Sequence, residues 1–202
     1  MLLWLCCGLA AWLTRAAVLT PTSYVATRGE GVAQVGSWNY FDETGRQLTD
    51  GFRGVDDWTE NLGHGIAYEW VAWRKVNPTL TFNFAGVVTI DKVFIDFERW
   101  EYRSAIYLPS NVNIGGTDFS LAGDEIPDYT HGTIEFPGAW TGSSLTITLT
   151  PRSGGWTFGR YWTFVDEVQF SGIPEPSAAA LIAGLGLVGF GALRRGRGQR
   201  SL

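Results

Sequence analysis

The chain has 202 residues, 45% of them hydrophobic and 14% aromatic, and a formal charge of −5 at neutral pH. Residues 17–172 hold ten lysines and arginines against 19 aspartates and glutamates, a formal charge of −9. So acidic a surface argues against binding nucleic acid or anionic lipid headgroups. A segment of about 155 residues is long enough for one hydrophobic core, so we predict a single folded domain over 17–172.

The N-terminus predicts a signal peptide over residues 1–16. Residues 2–13 form an apolar run of the length of a signal-peptide core, and Thr14 and Ala16 place small residues at −3 and −1 of a cut after Ala16. An uncleaved anchor is the alternative, although twelve apolar residues are too few to span a bilayer. Both cysteines, Cys6 and Cys7, lie in this segment, so an exported body would contain no disulfide.

The body reads as short strands separated by turns. Polar and apolar residues alternate in 79–84, 88–97, 145–150 and 164–170, the pattern of half-buried strands. Glycines between such runs, Gly86 and Gly142 among them, are expected to break the strands. Regularly spaced short strands of this kind predict an all-β domain, a β-sandwich or jelly roll.

Four segments in order resemble the galactose-binding-like (discoidin-type) jelly roll. They are 40–51 (YFDETGRQLTDG), 79–95 (TLTFNFAGVVTIDKVFI), 106–112 (IYLPSNV) and 162–168 (WTFVDEV), which together span most of residues 22–172. The resemblance implies a single jelly-roll β-sandwich. It also implies one structural Ca²⁺, held by Asp50 of the Asp-Gly loop and Glu167 of the last strand. Calcium prefers several oxygen ligands, and Gly51 would let carbonyls turn inward. The alternative is that Asp50 caps a turn and Glu167 faces solvent.

Proteins of this fold bind sugars in loops at one end of the sandwich, with aromatic rings against the sugar and polar side chains on its hydroxyls. The candidates in or beside predicted loops are Trp58, His64, Trp100, Tyr102, Arg103 and Trp156. Each has an alternative role as a packing residue at the rim of the core. We therefore expect a polysaccharide partner.

The sequence predicts no enzyme. Adjacent carboxylates such as Asp56 and Asp57 point to opposite sides of an extended strand, so they make poor acid–base pairs. His64 and His131 are the only histidines, and no hydrolase or metalloprotease motif is present. The alternatives are a small polysaccharide lyase or glycosidase, and a structural or adhesive matrix protein without sugar affinity.

The C-terminus, 173–202, has three parts in order. Pro174, Glu175 and Pro176 precede an uncharged apolar segment over 177–193, and Arg194, Arg195 and Arg197 follow it. As a helix, the segment would be roughly 25 Å long, close to the thickness of a bilayer core, and the arginines would place the C-terminus in the cytoplasm. This tail resembles the PEP-CTERM sorting signal of bacteria that export polysaccharide. The resemblance implies cleavage by an exosortase after a transient inner-membrane stage, and final location at the cell surface or in the extracellular matrix. A permanent anchor is the alternative.

Overall fold

The structure is a computed structural model and describes residues 17–29, 40–42, 44–59, 69–102, 104–152 and 161–174. These residues form eight strands and no helix. The strands are β1 (Ala17–Leu19), β2 (Ser23–Ala26), β3 (Val71–Arg74), β4 (Thr79–Arg99), β5 (Asn111–Ile114), β6 (Thr117–Ser120), β7 (Thr130–Thr150) and β8 (Trp162–Pro174). In this part of the chain no helix long and apolar enough to cross a membrane is found.

Several predictions fall outside the described residues. The signal peptide of 1–16, the apolar segment of 177–193 and the arginines that follow it all lie there, as do Glu175 and Pro176. Pro174 is the last residue of β8, where it pairs with Val88 of β4. The first residue of the predicted sorting motif therefore belongs to the sheet.

The two longest strands, β4 and β7, are continuous, so the predicted breaks at Gly86 and Gly142 are wrong. Asn83 pairs with Ser144 and Val88 with Gly142, so four residues of β4 lie opposite one residue of β7. Extra residues of this kind bend a strand without ending it. The glycines therefore mark a bulge, and each long strand contributes to two layers.

The two layers pack face to face as an antiparallel β-sandwich, as the sequence predicted. The first layer contains β2, β5, β6, the N-terminal part of β4 and the C-terminal part of β7. The second layer contains β1, β3, β8, the C-terminal part of β4 and the N-terminal part of β7. Phe82 of the first layer lies 4.9 Å from Phe170 of the second, centroid to centroid, and Phe119 lies 5.3 Å from Phe136. These contacts place the main core between the layers.

A second apolar cluster lies on the outward face of the second layer. Described residues of the chain between β2 and β3, among them Arg53 and Gly54, cover part of this face, and the half-buried rings of Trp58 and Trp100 pack against the cluster. Its buried members are Tyr40, Trp70, Ala72, Ile106, Trp162 and Phe164. The sequence indicated one core; the structure adds this smaller one beside the loops at one end of the sandwich.

Candidate functional site

Three aromatic side chains lie in two loops at the end of the second layer. Trp100 and Tyr102 belong to the loop after β4, which is closed by two backbone hydrogen bonds between Trp100 and Ile106, of 3.0 and 3.1 Å. Tyr129 ends the loop before β7. The rings of Trp100 and Tyr129 meet edge to face with centroids 5.1 Å apart. Tyr102 is 61% exposed and Tyr129 44% exposed, so part of this aromatic platform (Trp100, Tyr102 and Tyr129) faces solvent.

Backbone hydrogen bonds hold Tyr129 in an unusual conformation. Its φ of 66° lies in the left-handed region, which costs a residue with a Cβ about 1–2 kcal/mol. Its N–H donates to the carbonyl oxygen of Arg99 at 2.9 Å and to Oδ1 of Asp128 at 3.1 Å. The same Asp128 oxygen accepts the N–H of Glu101 at 2.8 Å. One carboxylate thus ties the two loops together and positions the rings before any ligand arrives.

The charged groups around the platform are mainly acidic. Arg99 is turned inward: its side chain is 17% exposed, its Nε lies 2.9 Å from Oε1 of Glu101, and its Nη1 donates to the carbonyl of Ile126 at 2.6 Å. The side chain of Glu101 is 35% exposed, about twice the exposed fraction of the Arg99 side chain. The described surface beside the rings therefore presents carboxylates rather than cations.

Another loop, which carries Trp58, is hydrogen-bonded to the start of β7. Oδ1 of Asp56 accepts the backbone N–H of His131 at 2.9 Å, and the ring Nδ1 of His131 lies 2.6 Å from the same oxygen. These hydrogen bonds hold the pKa of Asp56 below its usual range. Trp58 itself contacts the rings of Tyr40 and Phe164, at centroid distances of 6.0 and 5.9 Å. It is half-buried, so its main role in the described structure is packing.

Beneath this loop lies Glu98, a fully buried carboxyl group. It pairs with His131 across the β4–β7 ladder, and neither carboxyl oxygen has a hydrogen-bond partner among the described residues. Burial, and next the nearby charges of Asp56 and Asp57, raise the pKa of Glu98 to about 9. At neutral pH the group is therefore protonated and uncharged. Because it has no exposed surface, it does not reach a ligand at the platform.

The predicted calcium ligands, Asp50 and Glu167, both accept hydrogen bonds from one turn. The N–H of Gly51 donates to Oε2 of Glu167 at 3.3 Å, and the N–H of Phe52 donates to Oδ1 of Asp50 at 2.9 Å. Glu167 is buried, which contradicts the alternative that it faces solvent. Burial, with Asp50 and Asp96 nearby, raises the pKa of Glu167 to about 7, although the Gly51 hydrogen bond and Arg53 oppose this.

Asp50 and Glu167 both accept backbone hydrogen bonds from the turn around Gly51, whose φ of 83° lies in the left-handed region. Carboxylate and carbonyl oxygens are ligands that calcium accepts. Within the described ranges no group of three or more histidine, cysteine, aspartate or glutamate side chains is arranged to hold a metal. An ion here would therefore need backbone carbonyls or water to complete its coordination.

The structure brings only some of the predicted sugar-binding residues together. Trp100 and Tyr102 share one loop, and Trp58 packs on the same apolar cluster as Trp100. His64, Arg103 and Trp156 lie outside the described residues. The sequence interpretation missed Tyr129, Asp128 and the Asp56–His131 contact. An aromatic residue directly after Pro127-Asp128, a turn-forming pair, is the signal that could have identified Tyr129.

No known protein family matches the sequence, and no curated protein matches it. Among solved structures, a family 32 carbohydrate-binding module of AlyQ in complex with 4,5-unsaturated mannuronic acid has a TM-score of 0.43 at 12% identity. The alignment covers 76% of this chain and 97% of that one.

Two further structures are similar over most of the described fold. The family 32 module of Clostridium perfringens NanJ in complex with galactose has a TM-score of 0.39 at 12% identity, covering 78% of this chain and 99% of that one. A fucolectin from striped bass (Morone saxatilis) serum has a TM-score of 0.45 at 15% identity, covering 77% of this chain and 49% of that one. With such low identities and TM-scores, these similarities assign neither a ligand nor a site to the chain.

Proposed function

We propose that this protein is a non-catalytic, exported glycan-binding protein whose sugar site is the aromatic platform. The observation that carries the proposal is the exposed ring of Tyr129 in edge-to-face contact with Trp100, together with the exposed Tyr102 in the Trp100 loop. Sugar rings bind proteins by stacking their C–H faces on aromatic side chains, while polar groups at the edge receive the hydroxyls. Asp128 and Glu101 supply such polar groups within the same two loops.

The arrangement of the carboxyl groups argues against catalysis. The pKa of Asp56 is lowered while that of Glu98 is raised to about 9, and carboxyl groups whose pKa values are pushed apart are the usual sign of an acid–base pair. Glu98, however, is fully buried, and a general acid must come within hydrogen-bond distance of its substrate. A lyase or glycosidase would release unsaturated products or new reducing ends, so assaying both with any retained polysaccharide tests this part of the proposal.

The glycan-binding test is retention of the full chain on a panel of insoluble polysaccharides, in a detergent that has no sugar headgroup. We expect selective retention of the wild-type protein, and at least a fivefold loss in Tyr102→Ala and Tyr129→Ala variants, since one aromatic contact contributes about 0.5–1.5 kcal/mol beyond the area that it buries. The control is Val25→Ala, because Val25 is 69% exposed, more than either tyrosine, but lies in β2 of the first layer. No retention on any polymer would contradict the proposal, and self-association without polysaccharide would then favour the structural or adhesive alternative.

A structural calcium ion is part of the proposal. Asp50 and Glu167 would hold it, and the ion would neutralise charge at the turn beside β8, where burial and the nearby Asp50 raise the pKa of Glu167. Removing calcium with a chelator should lower the melting temperature of the wild-type protein, because a ligand that binds only the folded state stabilises it. The same treatment should leave a Glu167→Gln variant unchanged. An unchanged wild-type melting temperature would contradict the calcium site.

We also propose that residues 1–16 direct export and that residues 173–202 act as a PEP-CTERM sorting signal cleaved by an exosortase. The supporting observations are the apolar segments at both ends, the Pro174-Glu175-Pro176 motif and the arginines after residue 193. The test is the mass of the protein recovered from the surface of an exosortase-producing bacterium. Loss of the last residues in the wild type, but not after replacement of Glu175 and Pro176 by alanine, is expected. An intact C-terminus would favour the permanent anchor.

A further inference from the structure

Most of the described charged side chains around the aromatic platform are carboxylates. Glu101 and Asp128 belong to its two loops, and Asp56 and Asp57 belong to the neighbouring loop, where both residues are exposed. Asp56 stays ionised at neutral pH because its contacts with His131 lower its pKa. A ligand that approaches the rings therefore meets several carboxylates.

The described cations at this end are already engaged. Arg99 is mostly buried between the Glu101 carboxylate and the Ile126 carbonyl, and Arg53 forms an ion pair with buried Asp96, with Nε and Oδ2 3.0 Å apart. Arg103, the one further arginine of the Trp100 loop, lies outside the described residues. Because Arg99 offsets the charge of Glu101, three acidic side chains remain, Asp56, Asp57 and Asp128, and the single charge of Arg103 would not balance them.

Aromatic faces beside carboxylates are the chemistry that recognises an ammonium group. Ring faces attract a cation through their quadrupole, and carboxylates add a charge-assisted hydrogen bond. The same surface repels uronates and sulfated sugars, because like charges brought together without a counterion are unfavourable.

Building on the glycan-binding role proposed above, we propose that the platform selects glycans that carry free amino groups over neutral and acidic ones. The ligand class is a polymer of amino sugars that are at least partly deacetylated. Its sugar rings would stack on Tyr102 and Tyr129, while Glu101 and Asp128 would receive the ammonium groups.

The test compares three soluble oligosaccharides of equal length by calorimetric titration of the full chain: glucosamine oligomers, their N-acetylated counterparts and an oligouronate. We expect the glucosamine oligomers to bind at least threefold more tightly than the acetylated ones, and the oligouronate not to bind. Because exposed charges are screened by salt, that preference should shrink between low salt and about 0.5 M salt.

Variants separate this inference from the glycan-binding role. Glu101→Gln and Asp128→Asn keep an oxygen that accepts the existing hydrogen bonds, so the loops should stay in place. Each should weaken binding of the glucosamine oligomer about threefold more than binding of the acetylated oligomer, because only the glucosamine oligomer also loses a charge-assisted hydrogen bond. Glu135→Gln is the control: it removes one charge from an exposed side chain about 13 Å further along β7 from His131, and should change neither affinity.

The outcomes distinguish the two proposals. Equal affinity for the free and acetylated oligomers, or tighter binding of the oligouronate, would overturn the preference for amino groups and keep the glycan-binding role. Failure of all three oligomers, together with failure of every polysaccharide in the retention test, would overturn both.

Discussion

The two outward faces of the sandwich share the long strands β4 and β7, but one face is exposed to solvent and the other is covered by a loop. On the first layer, Thr81 and Thr146 face solvent and their hydroxyls pair at 3.1 Å across β4 and β7. On the second layer, Asp96 and Glu98 occupy equivalent outward positions of β4, yet both are buried under the chain that leads to Trp58. Alternation therefore identifies the outward positions of a strand, but the covering loop decides whether those positions meet water.

The covered face of the second layer can hold acidic residues because the loop, in place of solvent, donates hydrogen bonds to them. Asp96 receives the Arg53 ion pair and the Thr133 hydroxyl, and Asp166 receives the N–H of Gly54. Among the described residues no donor reaches the Glu98 carboxyl group, and its raised pKa keeps it protonated at neutral pH. The burial of the covered face therefore requires the loop to stay in place. The threonine face of the first layer requires only its own strands.

The largest expected effect comes from truncating the covered face. Phe164→Ala should lower the free energy of unfolding by about 3–5 kcal/mol, because a fully buried ring is lost and a cavity remains. Thr146→Ala, on the open face, should change it by less than about 0.5 kcal/mol. Chemical denaturation of both variants measures the difference. Similar effects would mean that the loop does not seal the second layer.

The protonation of Glu98 should make the covered face sensitive to pH. Its pKa is higher in the folded protein than in the unfolded chain, so the folded state binds the extra proton. Its contribution is complete below the ordinary glutamate pKa and is lost as pH rises toward about 9, at up to about 1.4 kcal/mol per pH unit.

Glu98→Gln should remove this dependence, because glutamine mimics the uncharged acid. Between pH 5 and pH 8 the melting temperature of the variant should fall less than that of the wild type. Glu135→Gln, at an exposed position, is the matched control and should follow the wild type. Parallel curves for the wild type and Glu98→Gln would show that Glu98 ionises freely.

A third change tests how closely the loop lies on the sheet. A Cβ added at Gly54 would be 2.5 Å from the ring of Trp70, so Gly54→Ala should destabilise the protein by about 1–3 kcal/mol. Gly86→Ala is the control, since an added Cβ there meets nothing within 4 Å. If denaturation shows Gly54→Ala to be as stable as Gly86→Ala, the loop lies further from Trp70 than described.

The smallest effect should come from the Asp56 contact. The pKa of Asp56 is lowered in the folded state, so its contribution is present above the ordinary aspartate pKa and is lost as pH falls through the lowered value. Asp56→Asn should destabilise by less than about 1 kcal/mol at pH 7, since the side chain is exposed, and should speed hydrogen exchange of the His131 amide. Asp57→Asn, which removes the neighbouring charge, should leave that amide protected. Equal protection in both variants would contradict the fastening role of Asp56.

The sequence predicted the sandwich because alternation is a local signal. The runs 79–84, 145–150 and 164–170 all lie in strands, and Trp100 and Tyr102 lie in the loop where they were expected. It misplaced the breaks at Gly86 and Gly142, because a bulge and a turn use the same residue type. It could not identify Glu98 as buried or Tyr129 as part of the platform, since both depend on contacts between loops far apart in the chain.

The most direct measurement is the affinity of the full chain for the best-retained polysaccharide fragment, compared between Tyr129→Ala and Val25→Ala. Both remove an exposed side chain, one from the platform and one from the face of the first layer. We predict that Tyr129→Ala weakens binding at least fivefold while Val25→Ala binds like the wild type. Equal affinities for the two variants would contradict the claim that the aromatic platform is the glycan site.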